Sequence, residues 1–198
     1  EETAITERAA RELGFPLFVK PANAGSSVGV GKVKEKSQLP QAVRCAARFD
    51  AKIILEKGIS ARECECAVLG NDDPIASVIG EVIPCHEFYD YEAKYLADGG
   101  KTLVPADIPD WASERMREMA VSAFKAVDCS GMARVDFLVD RETMEIFVNE
   151  INTIPGFTSI SMYPMLWKAS GIPYDRLIAR LIELALEKFE ESRLEIQA

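Results

Sequence analysis

Ala133-Arg134-Val135-Asp136 and Asn149-Glu150-Ile151-Asn152 lie in two apolar-alternating stretches, around 132–139 and 145–151, joined by a short link at Arg141–Thr143. A link that short leaves room only for a tight antiparallel hairpin. Side chains two apart on a strand share a face, so Arg134 and Asp136 form one pair and Glu150 and Asn152 another. A turn near Thr143 sets Asp136 opposite Glu150 and Arg134 opposite Asn152. Like charges directly opposite are destabilising, and a divalent cation between them reverses that sign. Oxygen donors from Asp, Glu and Asn suit Mg²⁺ or Mn²⁺. With no cation, at least one of the two carboxyls should have a raised pKa. In a different register the same residues would be solvated edge charges.

The rest of the chain reads as further strands and helices. Residues 3–13 read as a helix with Ile5, Ala9 and Leu13 on one face, stopped by Gly14. Phe15–Val19 is a short strand ending in Lys20-Pro21. Ser37 is expected to cap a helix carrying Leu39, Ala42, Val43 and Ala46. Strands are expected at 53–56, 63–69 and 75–83, the last two separated by Asn71-Asp72-Asp73-Pro74. Residues 84–110 are polar, hold Gly99-Gly100 and three prolines, and show no period; loops of that length are usually functional or disordered. Residues 111–127 carry a stripe of Ala112, Met116, Met119, Ala120, Ala123, Phe124 and Val127. A last helix spans roughly 174–190, with Leu177, Ile178, Leu181, Ile182 and Ala185 expected inward. Hairpins mixed with helices point to an α+β fold rather than a regular parallel sheet.

The chain has 23 basic and 32 acidic side chains, a formal charge of −9, which argues against a nucleic-acid or anionic-membrane surface. No apolar run approaches the roughly 20 residues that span a bilayer. Five cysteines at 45, 64, 66, 85 and 129 fit no zinc or disulfide spacing and are expected to be reduced. Residue 1 is Glu and the chain opens inside a helix, so an N-terminal part is expected to be missing.

Several other residues could meet a ligand. Lys20 sits at a strand end, where a phosphate could be met; alone it also reads as a solvated lysine. Gly25-Ser26-Ser27-Val28-Gly29-Val30-Gly31 offers backbone N–H groups and the Ser26 and Ser27 hydroxyls to a phosphate. It is neither a P-loop nor a dinucleotide fingerprint, because strand rather than helix follows it. It reads equally as a plain hairpin turn. Glu56 and Glu63 could accept from a ribose or an adenine amine, or could be surface charge. Pro155-Gly156-Phe157-Thr158-Ser159-Ile160-Ser161 is a hydroxyl-rich turn beside the expected cation, able to hold a substrate carboxylate or simply to lead into a helix.

Phe18-Val19-Lys20-Pro21, Gly25–Gly29, Tyr89-Asp90-Tyr91-Glu92-Ala93-Lys94-Tyr95, Ala133–Asp136 and Asn149–Thr158 together resemble the D-alanine–D-alanine ligases, in order and over nearly the whole chain. The resemblance implies an ATP-grasp fold: two lobes, with the nucleotide between antiparallel sheets. Residues 1–62 would form the smaller lobe, truncated at its N-terminus, and 63–198 the larger. The resemblance assigns Lys20 and Lys94 to ATP phosphates. It gives adenine to Glu56 and the backbones of Lys57 and Ile59, and the ribose to Glu63. Ser26 and Tyr95 would help to position the first D-alanine. Arg134 and the Gly156 backbone would stabilise a tetrahedral intermediate. Asp136, Glu150 and Asn152 would bind two Mg²⁺ (or Mn²⁺), and Ser161 the second substrate's carboxylate. The loop around 84–101 would close over the site. The expected reaction makes D-alanyl-D-alanine for peptidoglycan in the cytoplasm, in a full-length homodimer. Lys94-Tyr95 favours D-alanine over D-lactate and leaves D-serine open. A nucleotide-binding module without catalysis is the alternative. The family's N-terminal domain, which supplies a carboxylate to the first substrate, is absent here, so this chain alone is expected to be inactive.

Overall fold

The computed structural model describes residues 2–25, 27–83 and 101–197. The chain divides into two compact units, parting between Ser60 and Ala61.

The first unit contains α1 (Glu2–Glu12), β1 (Leu17–Pro21), β2 (Gly31–Val33), a 3-10 turn (Lys36–Gln38), α2 (Leu39–Ala46) and β3 (Ile53–Lys57). Its sheet has the order β2-β1-β3, antiparallel throughout. Leu17 and Val19 alternate onto one face and are fully buried with Val33, Leu39 and Ala46, and Ala9 of α1 joins them. Each of the Val and Leu side chains contributes about 1.5–3 kcal/mol when fully buried. Two expectations change here. Thr6 rather than Ile5 is buried beside Ala9, and Ile5 is exposed, because one residue rotates a helix face by about 100°. Ser37 caps nothing: its hydroxyl donates to Glu35, Pro40 sits in the first turn of α2, and the 3-10 turn supplies the entry.

The second unit contains β4 (Ala61–Gly70), β5 (Ile75–Ile83), β6 (Lys101–Leu103), α3 (Asp110–Ala126), β7 (Gly131–Asp140), β8 (Ile146–Asn152), α4 (Met162–Ala169) and α5 (Tyr174–Gln197). The sheet order is β6-β5-β4-β7-β8, all antiparallel. β4 pairs with β7 along its whole length, from Ala61 opposite Asp140 to Gly70 opposite Gly131. Cys64, Cys66, Val68, Ala133, Val135, Phe137 and Val139 form one face, fully buried under Ala112, Met116, Ala120 and Phe124 of α3. Those four recur every fourth residue, one stripe of a helix. Val127, read as part of that stripe, is exposed beyond the helix end.

The opposite face changes character along its strands. At one end Ala67 and Leu69 pack with Met162, Tyr163, Leu166 and Trp167 of α4 and with Leu177 and Leu184 of α5. The Tyr163 hydroxyl donates to the Val68 carbonyl at 2.9 Å, and the Ser170 hydroxyl accepts from the Val78 amide at 2.9 Å. These bonds hold α4 against β4 and β5. At the other end the same face carries Glu63, Glu65, Arg134 and Asp136. On α5 the inward stripe is Leu177, Leu181 and Leu184. Ile178, Ile182 and Ala185, expected inward, are exposed. The helix has two apolar stripes, and its packing selects one. No helix among the described residues is long and apolar enough to cross a membrane.

Candidate active site

In the second unit the β7–β8 register is the one expected from the short link. Asp136 is paired with Glu150 and Arg134 with Asn152, with a bulge between Asp136 and Phe137. Arg134 lies along its own strand and grips Asp136 with two bonds, Nε to Oδ1 at 2.6 Å and Nη2 to Oδ2 at 2.7 Å. The Asn152 amide donates to Asp136 Oδ2 at 3.0 Å and to Glu150 Oε1 at 3.3 Å. The two carboxylates and the amide therefore share one space. Arg134 and Asp136 side chains are 21% and 14% exposed, so water screens their charges poorly.

Burial pushes the Asp136 carboxyl up to about 6. The Arg134 hydrogen bonds and charge oppose that rise, and the charge of Glu150 and its hydrogen bond add to it. The expected raised carboxyl is present, but burial rather than repulsion is its first cause. For Arg134, burial works against the charged form. The hydrogen bonds and charge of Asp136, then Glu65 and Glu150, outweigh it and hold the guanidinium protonated more firmly than usual.

Sequence reading missed one member of this cluster. Glu65 of β4 lies directly opposite Asp136 of β7, and its Oε2 is 3.0 Å from Arg134 Nε. Only the pairing of β4 with β7, distant in sequence, brings it there. Glu63, two residues earlier on the same face, is paired with Leu138 and with Val82 of β5. The side-chain contacts of Ser161 close the end of the loop after β8. Its hydroxyl accepts from the Thr158 amide at 2.9 Å and meets the Thr158 hydroxyl at 2.8 Å. Ser161 precedes α4 without capping it through its side chain. A Cβ on Gly156 would sit 3.1 Å from the Ser161 hydroxyl, so the absence of a side chain there lets the loop fold back onto Ser161.

In the first unit Lys20 and Glu56 meet on the exposed face of the β1–β3 pair, Nζ to Oε2 at 2.7 Å. Lys57 ends β3 and Ile59 lies two residues past its end. The Gly58 amide between them donates to the Pro16 carbonyl at 2.8 Å. Residues 22–30 connect β1 to β2, so the glycine-rich stretch does lie inside a hairpin. Ser27 has φ +59°, and the turn uses the Val28 and Val30 amides on the Gly25 and Ser27 carbonyls. Asp50 holds the start of this connection: it accepts from the Asn23 backbone at 2.7 Å and side chain at 2.8 Å, and from the Lys52 backbone at 3.0 Å. These bonds, the Lys52 and Asn23 backbone amides first, lower its pKa. Ser26, Lys94 and Tyr95 lie outside the described residues.

Among the described residues no group of three or more His, Cys, Asp or Glu side chains is arranged to hold a metal ion. The cluster on β7 and β8 has two carboxylates, with a carboxamide as its third oxygen source. That donor chemistry, two carboxylates and a carboxamide oxygen, fits a hard divalent cation.

The family model described as "D-ala D-ala ligase C-terminus" matches residues 1–183. A D-alanine–D-alanine ligase of Acetivibrio thermocellus is 55% identical over 188 residues, which is 95% of this chain and 50% of the relative. The solved D-alanine–D-alanine ligase from Coxiella burnetii superposes with a TM-score of 0.87 at 40% identity, covering all of this chain and 52% of that one. The VanG D-Ala:D-Ser ligase from Enterococcus faecalis gives 0.83 at 41% identity, covering 92% and 53%. The chain thus spans about half the length of the relatives it matches. With a match over nearly every residue and the antiparallel sheets those structures share, the chain belongs to the D-alanine–D-alanine ligase family, of ATP-grasp fold.

Proposed function

We propose that the full-length protein joins two D-alanines to D-alanyl-D-alanine at the expense of ATP, through an acyl phosphate, for peptidoglycan precursor synthesis. The observation that carries this reading is the convergence of Asp136, Glu150 and Asn152 on one space beside Arg134. Asp136, Glu150 and Asn152 would hold two Mg²⁺, with Asn152 turning its amide so that Oδ1 rather than Nδ2 faces the carboxylates. When bound, Mg²⁺ neutralises charge on the phosphate oxygens.

A carboxylate is a poor electrophile. Transfer of the γ-phosphate to the first D-alanine makes an acyl phosphate and leaves ADP. The amine of the second D-alanine then attacks that carbonyl, and the tetrahedral intermediate expels phosphate. In this scheme Lys20 and Lys94 neutralise ATP phosphates, and the glycine-rich connection with Ser27 covers them. Glu56 and the backbones of Lys57 and Ile59 hold adenine, and Glu63 holds the ribose. Ser26 and Tyr95 position the first D-alanine. Arg134, kept firmly charged, and the Gly156 backbone stabilise the oxyanion. Ser161 orients the second substrate by its carboxylate. The domain reading follows the same scheme: residues 1–62 supply Lys20, Glu56 and the glycine-rich connection, and residues 63–198 supply Glu63, Lys94, the cation ligands and Ser161.

The likeness to a D-Ala:D-Ser ligase supports one competing reading, with D-serine as second substrate. Mass-spectrometric identification of the product from D-alanine mixed with equal D-serine and D-lactate tests both. The expected product is D-alanyl-D-alanine. A predominance of D-alanyl-D-serine would move the specificity, and no ATP-dependent product would overturn the ligase reading.

A further inference from the structure

Arg134 faces two carboxylates from two different strands. Asp136, two residues along β7, takes hydrogen bonds from Nε and Nη2. Glu65, across the sheet on β4, stands 3.0 Å from the same Nε and is 14% exposed. Directly opposite Arg134 is Ala67, fully buried and small, so the guanidinium lies along the strands toward Glu65 and Asp136. Glu65, Asp136 and Glu150 bring three carboxyl groups around the one guanidinium of Arg134. A cation that draws Asp136 toward Glu150 and Asn152 competes with Arg134 for the same two oxygens. An arginine stripped of its partner inside a poorly screened cluster is destabilising, because its charge is left uncompensated. Its charge needs a second acceptor already in place.

We propose that Glu65 is a positioning residue that keeps Arg134 in place when Asp136 turns from the guanidinium to a divalent cation. The Nε hydrogen then passes from Asp136 to Glu65, a shift within the distances already present. Asp136 becomes available without leaving a bare guanidinium, and Arg134 stays where a developing oxyanion would meet it. The inference rests on the reading of Asp136, Glu150 and Asn152 as a cation site.

The test is a Mn²⁺ titration of the full-length protein with ATP present, read by electron paramagnetic resonance, for the unsubstituted protein, Asp136→Asn, Glu65→Gln and Glu65→Asp. The Arg134 Nε–H resonance, followed by nuclear magnetic resonance with and without Mg²⁺ and ATP, reports the handover itself. Asp136→Asn is expected to abolish tight Mn²⁺ binding. Glu65→Gln is expected to weaken it about tenfold, roughly 1.4 kcal/mol, and Glu65→Asp to weaken it less. The Arg134 Nε–H should stay protected from exchange after Mg²⁺ and ATP in the unsubstituted protein and lose protection in Glu65→Gln. Mn²⁺ binding unchanged by Asp136→Asn would overturn the cation site. Binding lost in Asp136→Asn but unchanged in Glu65→Gln would overturn the role of Glu65 alone, as would equal effects of the Gln and Asp substitutions. Should Glu65→Gln fail to fold, the unsubstituted protein still decides: loss of Nε–H protection on adding Mg²⁺ and ATP overturns the handover.

Discussion

Asp136 shows how little a single residue type determines without its surroundings. The pairing of Asp136 with Glu150 was legible in the sequence, because a link as short as Arg141–Thr143 fixes the register and alternation fixes the face. The bulge after Asp136 and the approach of Glu65 were not, since both depend on strands that meet only in the folded sheet. The cysteines are a second case. Burial pushes the Cys64 and Cys66 thiols up to about 12 from an ordinary 9.0, whereas Cys45 is exposed. A thiol reagent at pH 8 should label Cys45 in the native protein and reach Cys64 and Cys66 only on unfolding, as read by mass mapping. The linkage has a definite sign. Above pH 9 the unfolded chain releases these protons while the fold keeps them to about 12. Stability from this source is full below pH 9 and falls as pH rises from 9 toward 12, which denaturant midpoints across that range would record.

At the scale of elements, Gly58 joins the end of β3 to Pro16, and a Cβ there would sit 2.6 Å from the Pro16 carbonyl oxygen. Backbone cannot yield as a flexible side chain can. Gly58→Ala should break the Gly58–Pro16 bond and destabilise the first unit by about 1–3 kcal/mol. It should also weaken ATP binding, because Lys57 and Ile59 flank the glycine; calorimetric titration with unchanged affinity would remove these backbones from the adenine site. Leu166 of α4 is fully buried between sheet and helix. Leu166→Ala should cost about 2–5 kcal/mol and loosen the turn that presents Ser161, seen as a lower melting temperature and a raised KM for the second substrate. Helix existence was readable from period alone, as in α3. Which face turns inward was not readable for α5, where Leu177–Leu181–Leu184 and Ile178–Ile182 are equally periodic stripes. The start of α2 was misread because Ser37 has the chemistry of a cap but lies inside a 3-10 turn.

For the molecule as a whole, each unit has its own buried core, and each carries part of the proposed machinery: Lys20 and Glu56 in one, the carboxylate cluster with Arg134 in the other. The carboxylate cluster is proposed as the cation site of an ATP-dependent D-alanine ligase. The most direct measurement is the initial rate of phosphate release from ATP and D-alanine by the full-length protein, beside Asp136→Asn and Glu150→Gln, with melting curves for all three. Release should require both D-alanine and Mg²⁺. Each substitution should lower it by at least about a hundredfold while the melting temperature stays near that of the unsubstituted protein. Turnover at the unsubstituted rate in both variants would contradict the account.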